Sequence, residues 1–120
     1  MKVAEWDDKF LEKWRYEATF PLDDYLLFLK DMITRGLYIL LEIDEESHII
    51  VWEEYVHGKR CLWIEFGYGR GLCDTVRRII IHSKSHGYEV VRTNVERIGA
   101  KRLYERMGFK LTHYAMELIL

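Results

Sequence analysis

The stretch from residue 60 to residue 87 constrains the fold of this chain most, because it predicts a strand, a glycine-rich loop and a helix in direct succession. Residues 60–66 (RCLWIEF) form a mostly apolar run with the length of a buried strand. Beyond the loop, apolar or small residues recur at the spacing of one helix face: Leu72, Val76, Ile79, Ile80 and Ser83. Gly87 stands where a left-handed residue would end that helix.

The loop between this strand and this helix has the composition of an anion-binding site. Gly67, Gly69 and Gly71 let a ligand approach the backbone closely, and Arg70 adds a fixed positive charge. The first N–H groups of the following helix point out of the loop, where the helix dipole favours negative charge. The pattern indicates a phosphate or pyrophosphate ligand, and the alternative is a tight turn into a core helix.

Length and composition bound the class of protein. A chain of 120 residues predicts one domain, residues 1–120. The net charge of −2 gives no basic field for nucleic acid, and no apolar run reaches the length of a membrane span. Cys61 and Cys73 lack a CxxC spacing and indicate a reducing compartment. Acidic residues occupy the place where a signal peptide needs an apolar core, so the sequence predicts a cytoplasmic protein.

The first half of the chain predicts two helices and then an antiparallel meander. Apolar residues at helical spacing predict that the chain starts in a helix: Val3, Trp6, Phe10 and Trp14. A second helix is predicted from Pro21 to Gly36. Three apolar runs, at residues 37–43, 48–56 and 59–66, indicate strands, and the His-Gly pair at 57–58 predicts a two-residue hairpin turn.

The second half predicts one parallel strand pair. A short strand at residues 88–92 follows the crossover helix, so it should lie parallel to strand 60–66. Residues 93–96 (TNVE) have the spacing of a capping box, and the helix that they open ends at Gly108. Residues 109–120 predict a long final strand. The fold class is therefore α+β, with a mixed, mostly antiparallel sheet and helices on both faces.

The second half also resembles a known family. The segment 94–109 (NVERIGAKRLYERMGF) has an Asn, then a helix with Ala, then Leu-Tyr-Glu-x-x-Gly-Phe, at Asn94, Ala100, Leu103, Tyr104, Glu105, Gly108 and Phe109. This pattern resembles the GNAT family of acyl-CoA-dependent N-acetyltransferases, and the order of predicted elements is similar over residues 20–120. The resemblance implies a single GNAT-like domain that moves an acetyl group from acetyl-CoA, its co-substrate, to the amine of a small molecule or protein.

The resemblance also implies how acetyl-CoA is held. The backbone amides near Gly67, Gly69, Arg70 and Gly71 would hold the pyrophosphate. The pantetheine arm would lie between strands 60–66 and 88–92, where the two splay apart. Asn94 would bond the arm, and the alternative role for Asn94 is helix capping.

Two side chains carry the implied chemistry. A phenol titrates near ~10 and a thiol near ~8.5, so Tyr104 can protonate the leaving thiolate; the alternative is that its ring fills the core. Glu65 is the best candidate for the base, because it ends the strand beside the glycine loop. Glu53, Glu54 and His57 are weaker candidates, and all four could instead be solvated charges on a half-exposed sheet.

Three departures from the family pattern favour an alternative function. With Gly67 and Gly69 as the glycine pair, Ile64 stands where the family has Arg or Gln; with Gly69 and Gly71, Phe66 stands there. The loop before the glycines is short, and the family's first strand is predicted to be absent. A shortened pattern of this kind resembles some phage-encoded proteins, so the alternative is a catalytically inactive GNAT-fold binding or virion-associated protein. The oligomeric state is left open, with a homodimer as one option.

Other clusters predict no further site. His82 and His86 have a spacing that can bind metal, but no third ligand is evident, so no metal is predicted. Three basic residues on the crossover helix could meet the CoA 3′-phosphate or form a solvated face: Arg77, Arg78 and Lys84. Cys73 lies in the first helical turn, which can lower a thiol pKa, but no base stands beside it in sequence.

Overall fold

The computed structural model describes residues 1–15, 23–69, 72–94, 98–112, 116 and 118–119, which form a five-stranded sheet with helices on both faces. In chain order the elements are β1 (Lys2–Ala4), α1 (Lys9–Arg15), α2 (Asp23–Thr34), β2 (Ile39–Glu42), β3 (His48–Val56), β4 (Lys59–Tyr68), α3 (Leu72–Ser85), β5 (Val90–Thr93) and α4 (Ile98–Arg106). None of the helices among these residues is long and apolar enough to cross a membrane.

The strands are ordered as they occur in the chain, from β1 to β5. The first three neighbouring pairs are antiparallel, and β4 pairs with β5 in parallel, from Cys61 opposite Val90 to Ile64 opposite Thr93. The helix α3 connects the two parallel strands, since a parallel pair needs a long crossover. The predicted mixed sheet with one parallel pair is confirmed.

A separate core lies on each face of the sheet. On one face, α1 and α2 cover the sheet with a cluster of Trp14, Leu26, Leu29, Leu40 and Ile50. On the other face, Val76 and Ile79 of α3 and Tyr104 of α4 pack against Leu41, Ile49, Val51, Leu62 and Ile64. Alternate residues of β3 therefore pack into different cores, because successive side chains of a strand point to opposite faces of the sheet. The turns agree with prediction: His57 and Gly58 both have positive φ, and Gly87 ends α3 with φ +79°.

The predicted N-terminal helix is wrong in its first half. Val3 lies in β1, opposite Leu41 of β2, so the first strand that was predicted to be absent is present. The helix starts only at Lys9, because the Asp7 carboxylate accepts the Lys9 N–H at 2.9 Å and caps the first turn. The start of the second helix at Pro21 lies outside the described residues, and α2 is seen from Asp23 onward.

The predicted final strand is not seen in the described residues of the C-terminal segment, 109–112, 116 and 118–119. Phe109 instead completes the end of α4, because its N–H donates to the Tyr104 carbonyl at 3.1 Å across Gly108, whose φ is +97°. Its ring packs edge-on against Tyr104 at 5.1 Å. Phe109, the first residue of the predicted strand, thus belongs to the C-terminal cap of α4.

Strand β4 is irregular where it passes the end of β5. Ile50 pairs with Phe66 while Val51 pairs with Ile64, so Glu65 is the extra residue of a β-bulge. The parallel pairing stops at Ile64, although β4 continues to Tyr68. A bulge bends its strand and re-aims a side chain. The fold therefore places Glu65 at the point where β4 parts from β5.

Gly69 is required by contacts within the chain itself. Its φ is +133°, and a Cβ added there would lie 2.5 Å from Ser47 Oγ and 2.7 Å from Ser47 Cα. Gly67 differs, because a Cβ there would meet only Ile49 Cγ1, at an ordinary 4.0 Å. Gly69 thus has a structural reason to be glycine even without a ligand.

The glycine pair allows a matched stability prediction. Gly69→Ala is expected to lower the free energy of unfolding by about 1–3 kcal/mol, from the strained φ and the clash with Ser47. Gly67→Ala, the control, is expected to leave it unchanged or to raise it by about 0.4–1 kcal/mol. Urea denaturation of both variants measures the difference. Equal midpoints would contradict this account of Gly69.

Candidate functional site

The carboxylate of Glu65 is held by two tyrosine hydroxyls. Tyr25, on α2, donates to Oε2 at 3.0 Å, and Tyr38, just before β2, donates to Oε1 at 3.1 Å. Both partners approach on the face of the sheet that α1 and α2 cover. Among the described residues no cation pairs with Glu65, and the side chains that bond its carboxylate there are these two tyrosines. An anionic acceptor with free lone pairs at a strand bulge can take a proton or bind an ammonium.

The weaker candidate Glu53 is engaged in a different network. It accepts from the Tyr88 hydroxyl at 2.5 Å and from Arg60 at 3.0 Å. The Tyr88 hydrogen bond and then Arg60 hold the pKa of Glu53 below its usual range. The Arg60 guanidinium also lies 4.1 Å from the centre of the Tyr88 ring and donates to the His86 carbonyl at 2.8 Å. This network ties the end of α3 to the β3–β4 hairpin.

The two other weaker candidates, Glu54 and His57, have structural roles. Glu54 accepts a hydrogen bond from the Trp63 indole and pairs with Arg92 at 3.6 Å. His57 occupies the hairpin turn with φ +51° and is exposed. Of the four acids and bases singled out from the sequence, Glu65 is the one at the parting of the strands.

A row of flat side chains crosses the sheet beside Glu65. Trp52 of β3 pairs with Trp63 of β4, and Trp63 pairs with Arg92 of β5. The Trp52 and Trp63 rings stack at 5.2 Å with planes 3° apart, and Tyr38 stacks on Trp52 at 5.9 Å and 13°. The Arg92 guanidinium lies 5.3 Å from the centre of the Trp63 ring. We call Tyr38, Trp52, Trp63 and Arg92 the aromatic row.

The Tyr38 hydroxyl is a stable donor to Glu65. Burial and then the Glu65 hydrogen bond raise the pKa of Tyr38 from the usual 10.0 of a phenol to about 12. A phenol whose pKa is raised by folding contributes stability that is fully present below pH ~10 and is lost as the pH rises through its folded pKa. Tyr38 therefore stays neutral at every physiological pH.

This raised pKa predicts a specific alkaline response. Between pH 10 and about 12 the free energy of unfolding should fall, and Tyr38→Phe should make that fall shallower. Tyr55→Phe is the control, because Tyr55 is 70% exposed on β3. Guanidinium unfolding across this pH range measures the slope for each variant. The same slope in wild type and Tyr38→Phe would contradict the Tyr38–Glu65 coupling.

Tyr104 lies in the core with its hydroxyl directed to the end of β5. The residue is 8% exposed, packs with Val76 and Ile79, and hydrogen-bonds to Thr93, while burial raises the pKa of its phenol. The Thr93 hydroxyl in turn donates to the Ile64 carbonyl at 3.1 Å. Tyr104 is thus connected through one threonine to the residue where β4 and β5 part.

The proposed cofactor loop is described only in part. Gly67 lies in β4, Gly69 follows it, and α3 begins at Leu72; Arg70 and Gly71 lie outside the described residues. Asn94 is exposed directly after β5, one residue beyond the last parallel pair, Ile64 and Thr93. Its capping-box partner, residue 96, lies outside the described part of the chain.

The remaining clusters have local partners. The rings of His82 and His86 stack at 3.9 Å, and burial lowers the pKa of His82. In the part of the chain that the structure describes, no three His, Cys, Asp or Glu residues are grouped to hold a metal ion. Arg77 pairs with Asp74 at 3.5 Å, and Arg78 donates to the Ile43 carbonyl at 3.4 Å.

Sequence reasoning missed three parts of this site: Tyr25, Tyr38 and the stacked tryptophans. The tyrosines lie 40 and 27 residues from Glu65, and no local pattern links them to it. The tryptophan pair could have been found, because the two-residue turn at 57–58 places Trp52 opposite Trp63.

Comparison with known proteins supports the fold. No protein-family model matches the sequence, and no curated protein matches it significantly. Among solved structures, a transcriptional regulator from Bacillus halodurans C-125 matches with TM-score 0.66 and 16% identity over 99% of each chain. A probable acetyltransferase matches with TM-score 0.62 and 15% identity over 99% of each chain.

A third match has a named reaction. Glucosamine-6-phosphate N-acetyltransferase from Arabidopsis thaliana matches with TM-score 0.60 and 18% identity, over 98% of this chain and 97% of that one. At such identities the likeness shows the fold alone. The protein has a GNAT-like α+β fold, with the mixed sheet and single parallel pair described above.

Proposed function

We propose that this protein is an acyl-CoA-dependent N-acetyltransferase that moves an acetyl group from acetyl-CoA to an amine. The observation that carries the proposal is the position of Glu65 on a bulge, where the parallel pairing of β4 and β5 ends, with no cation partner among the described residues. The structural neighbours include two proteins named as acetyltransferases, which supports the same reaction class.

The open edge of β4 suits an extended acyl carrier. Beyond Ile64, strand β4 continues to Tyr68 without a β5 partner, and no other strand of the described residues pairs with it on that side. Backbone groups there would suit hydrogen bonds to an extended ligand. A backbone N–H there can polarise the thioester carbonyl. The pyrophosphate of acetyl-CoA would lie at the glycine loop, where Gly67, Gly69, Arg70 and Gly71 precede the N-terminus of α3. Asn94, which is exposed directly after β5, would bond the arm.

Glu65, Tyr104 and water can carry the proton transfers that this reaction requires. Glu65 takes one proton from the ammonium, and the freed amine attacks the acetyl carbon. The C–N bond forms, the C–S bond breaks, and the second proton leaves the nitrogen for water. The departing thiolate takes up a proton from Tyr104, whose pKa is raised by burial and which is therefore protonated at neutral pH. The Tyr104 phenolate regains a proton from water and Glu65 releases its proton to water, so the products are the amide, the CoA thiol and one proton. Thr93 orients the Tyr104 hydroxyl through their hydrogen bond.

Calorimetry with acetyl-CoA and with CoA tests this function. Both ligands are expected to bind, and acetyl-CoA is expected to be consumed when an amine is supplied. Gly67→Asp should weaken binding about tenfold or more by placing a carboxylate near the pyrophosphate, whereas Gly67→Ala should bind normally because its Cβ has room. A folded protein that binds neither ligand would refute the proposal and leave the catalytically inactive binding protein as the better account.

A further inference from the structure

The aromatic row turns the rims of its rings outward. Side chains stand roughly perpendicular to a sheet, and neighbouring strands are about 4.8 Å apart. Trp52 and Trp63, on adjacent strands, stack at 5.2 Å, so their ring planes stand upright with faces against each other. Tyr38, just before β2, continues the stack on Trp52 at 5.9 Å. Tyr38, Trp52 and Trp63 are each partly exposed, so the accessible part of the row is its line of ring edges.

Both faces of each tryptophan ring are already occupied. Trp52 lies between Tyr38 and Trp63, and the other face of Trp63 is covered by Arg92. A cation bound over an aromatic face would have to displace one of these neighbours. The rims of aromatic rings carry positive partial charge, so they attract the face of another ring and repel a cation. The row is suited to an aryl group that lies flat across it.

The Glu65 carboxylate beside the row attracts a cation, whereas the ring edges repel one. Tyr38 belongs to the row and also donates to Glu65, so this carboxylate, which pairs with no cation of the described residues, is adjacent to the row. Arg92, the cation of the row, is paired with Glu54 at 3.6 Å and covers Trp63. A phosphorylated acceptor would meet Glu65 and a neutralised arginine, which is unfavourable. An ammonium would find its counter-ion there.

We propose that the acceptor is a primary arylalkylamine, with its ammonium paired to Glu65 and its aryl ring lying edge-to-face on the aromatic row. This inference rests on the proposed acetyl transfer and names the substrate class for the same site. The linker between amine and ring spans the short distance from Glu65 to the row, which Tyr38 bridges by its hydrogen bond and its stack. The proton balance is that of the transfer above, with the arylalkylammonium as proton donor to Glu65.

Trp52 gives the sharpest variant for a test. The Trp63 N–H donates to Glu54, whereas the buried Trp52 N–H has no hydrogen-bond partner among the described residues. What Trp52 supplies to the row is therefore ring area and not a hydrogen bond. Trp52→Phe keeps a ring in the row, and Trp52→Leu keeps an apolar side chain without one.

The experiment measures binding of three probes to the CoA-saturated protein by calorimetry: 2-phenylethylamine, its uncharged analogue 2-phenylethanol, and glucosamine 6-phosphate. We expect 2-phenylethylamine to bind at least about tenfold tighter than either of the others. Trp52→Leu should weaken its binding about 2–10-fold, and Trp52→Phe should restore most of the loss. Glu65→Gln should weaken 2-phenylethylamine about tenfold or more and leave 2-phenylethanol unchanged.

Three binding results would overturn the inference: glucosamine 6-phosphate binding as tightly as the aryl amine, equal affinities in Trp52→Leu and Trp52→Phe, or no loss of amine affinity in Glu65→Gln. If Trp52→Leu fails to fold by circular dichroism, the comparison of the two aryl probes in wild type and Glu65→Gln decides. Acetyl-CoA consumption, followed by thiol release, separates the two proposals. Turnover with glucosamine 6-phosphate but not with 2-phenylethylamine refutes the aryl acceptor and upholds acetyl transfer.

Discussion

Glu65→Gln is expected to lower the rate of acetyl transfer by about 10²–10⁴-fold, the usual contribution of a general base. The amide cannot take the proton of the attacking ammonium, although it retains an oxygen that accepts from one of the two tyrosine hydroxyls. The fold should persist, because the network loses charge and not volume. Thiol release under saturating acetyl-CoA measures the rate, and thermal unfolding checks the fold.

Glu42→Gln is the matched control for this variant. Glu42 is a partly exposed carboxylate that pairs with Lys2 at 3.1 Å, at the other end of the sheet. An exposed pair of this kind contributes little, so both activity and stability should stay near wild type. If Glu65→Gln retains a rate within a few-fold of wild type, Glu65 would be a structural acceptor for Tyr25 and Tyr38 and another group would have to take the proton.

Much of the sheet could be predicted because local patterns determine it. The two-residue turn at 57–58 fixes the pairing of β3 with β4, and a crossover helix between two apolar runs requires a parallel pair. The position of Glu65 at the end of strand 60–66, beside the glycines, was also visible in the sequence. The β-bulge at Glu65 was not visible, because one extra residue in a strand does not produce a recognisable sequence pattern.

The two wrong elements failed for a common physical reason. Val3 and Trp6 fit a helical period, but residues 2–4 gain more from pairing with β2 than from one further helical turn. Phe109 fits an alternating pattern, but its N–H and its ring are committed to Tyr104. In both places a contact with a distant or preceding element overrides the local periodicity, and a single sequence does not display that contact.

The two tyrosine hydrogen bonds to Glu65 could not be predicted from the sequence. Tyr25 has the spacing of a core residue of α2, and Tyr38 that of a strand residue. Each presents an apolar ring to its neighbours and a hydroxyl to Glu65, so the same residue satisfies a packing pattern and completes a polar site. Only the three-dimensional placement of the bulge distinguishes the second role from the first.

Tyr104→Phe is expected to separate a catalytic hydroxyl from a structural one. If the phenol protonates the leaving thiolate, its loss should lower turnover by about 10²–10⁴-fold. Because the hydroxyl also hydrogen-bonds to Thr93 in a nearly buried setting, the free energy of unfolding should fall by about 1 kcal/mol. Tyr88→Phe is the control for losing a tyrosine hydroxyl nearby, since that hydroxyl bonds Glu53 and not Thr93.

Thr93→Val completes the design, because it removes the partner of Tyr104 and keeps the acid. Its stability loss should be at least as large as that of Tyr104→Phe, since it breaks the same bond and also the one to the Ile64 carbonyl. Its turnover should fall far less, because the phenol is still present to donate. Thermal unfolding measures the stability of Tyr104→Phe, Tyr88→Phe and Thr93→Val, and thiol release measures their turnover. Equal losses of turnover in Tyr104→Phe and Thr93→Val would assign the effect to the geometry of the parting strands and remove Tyr104 as the acid.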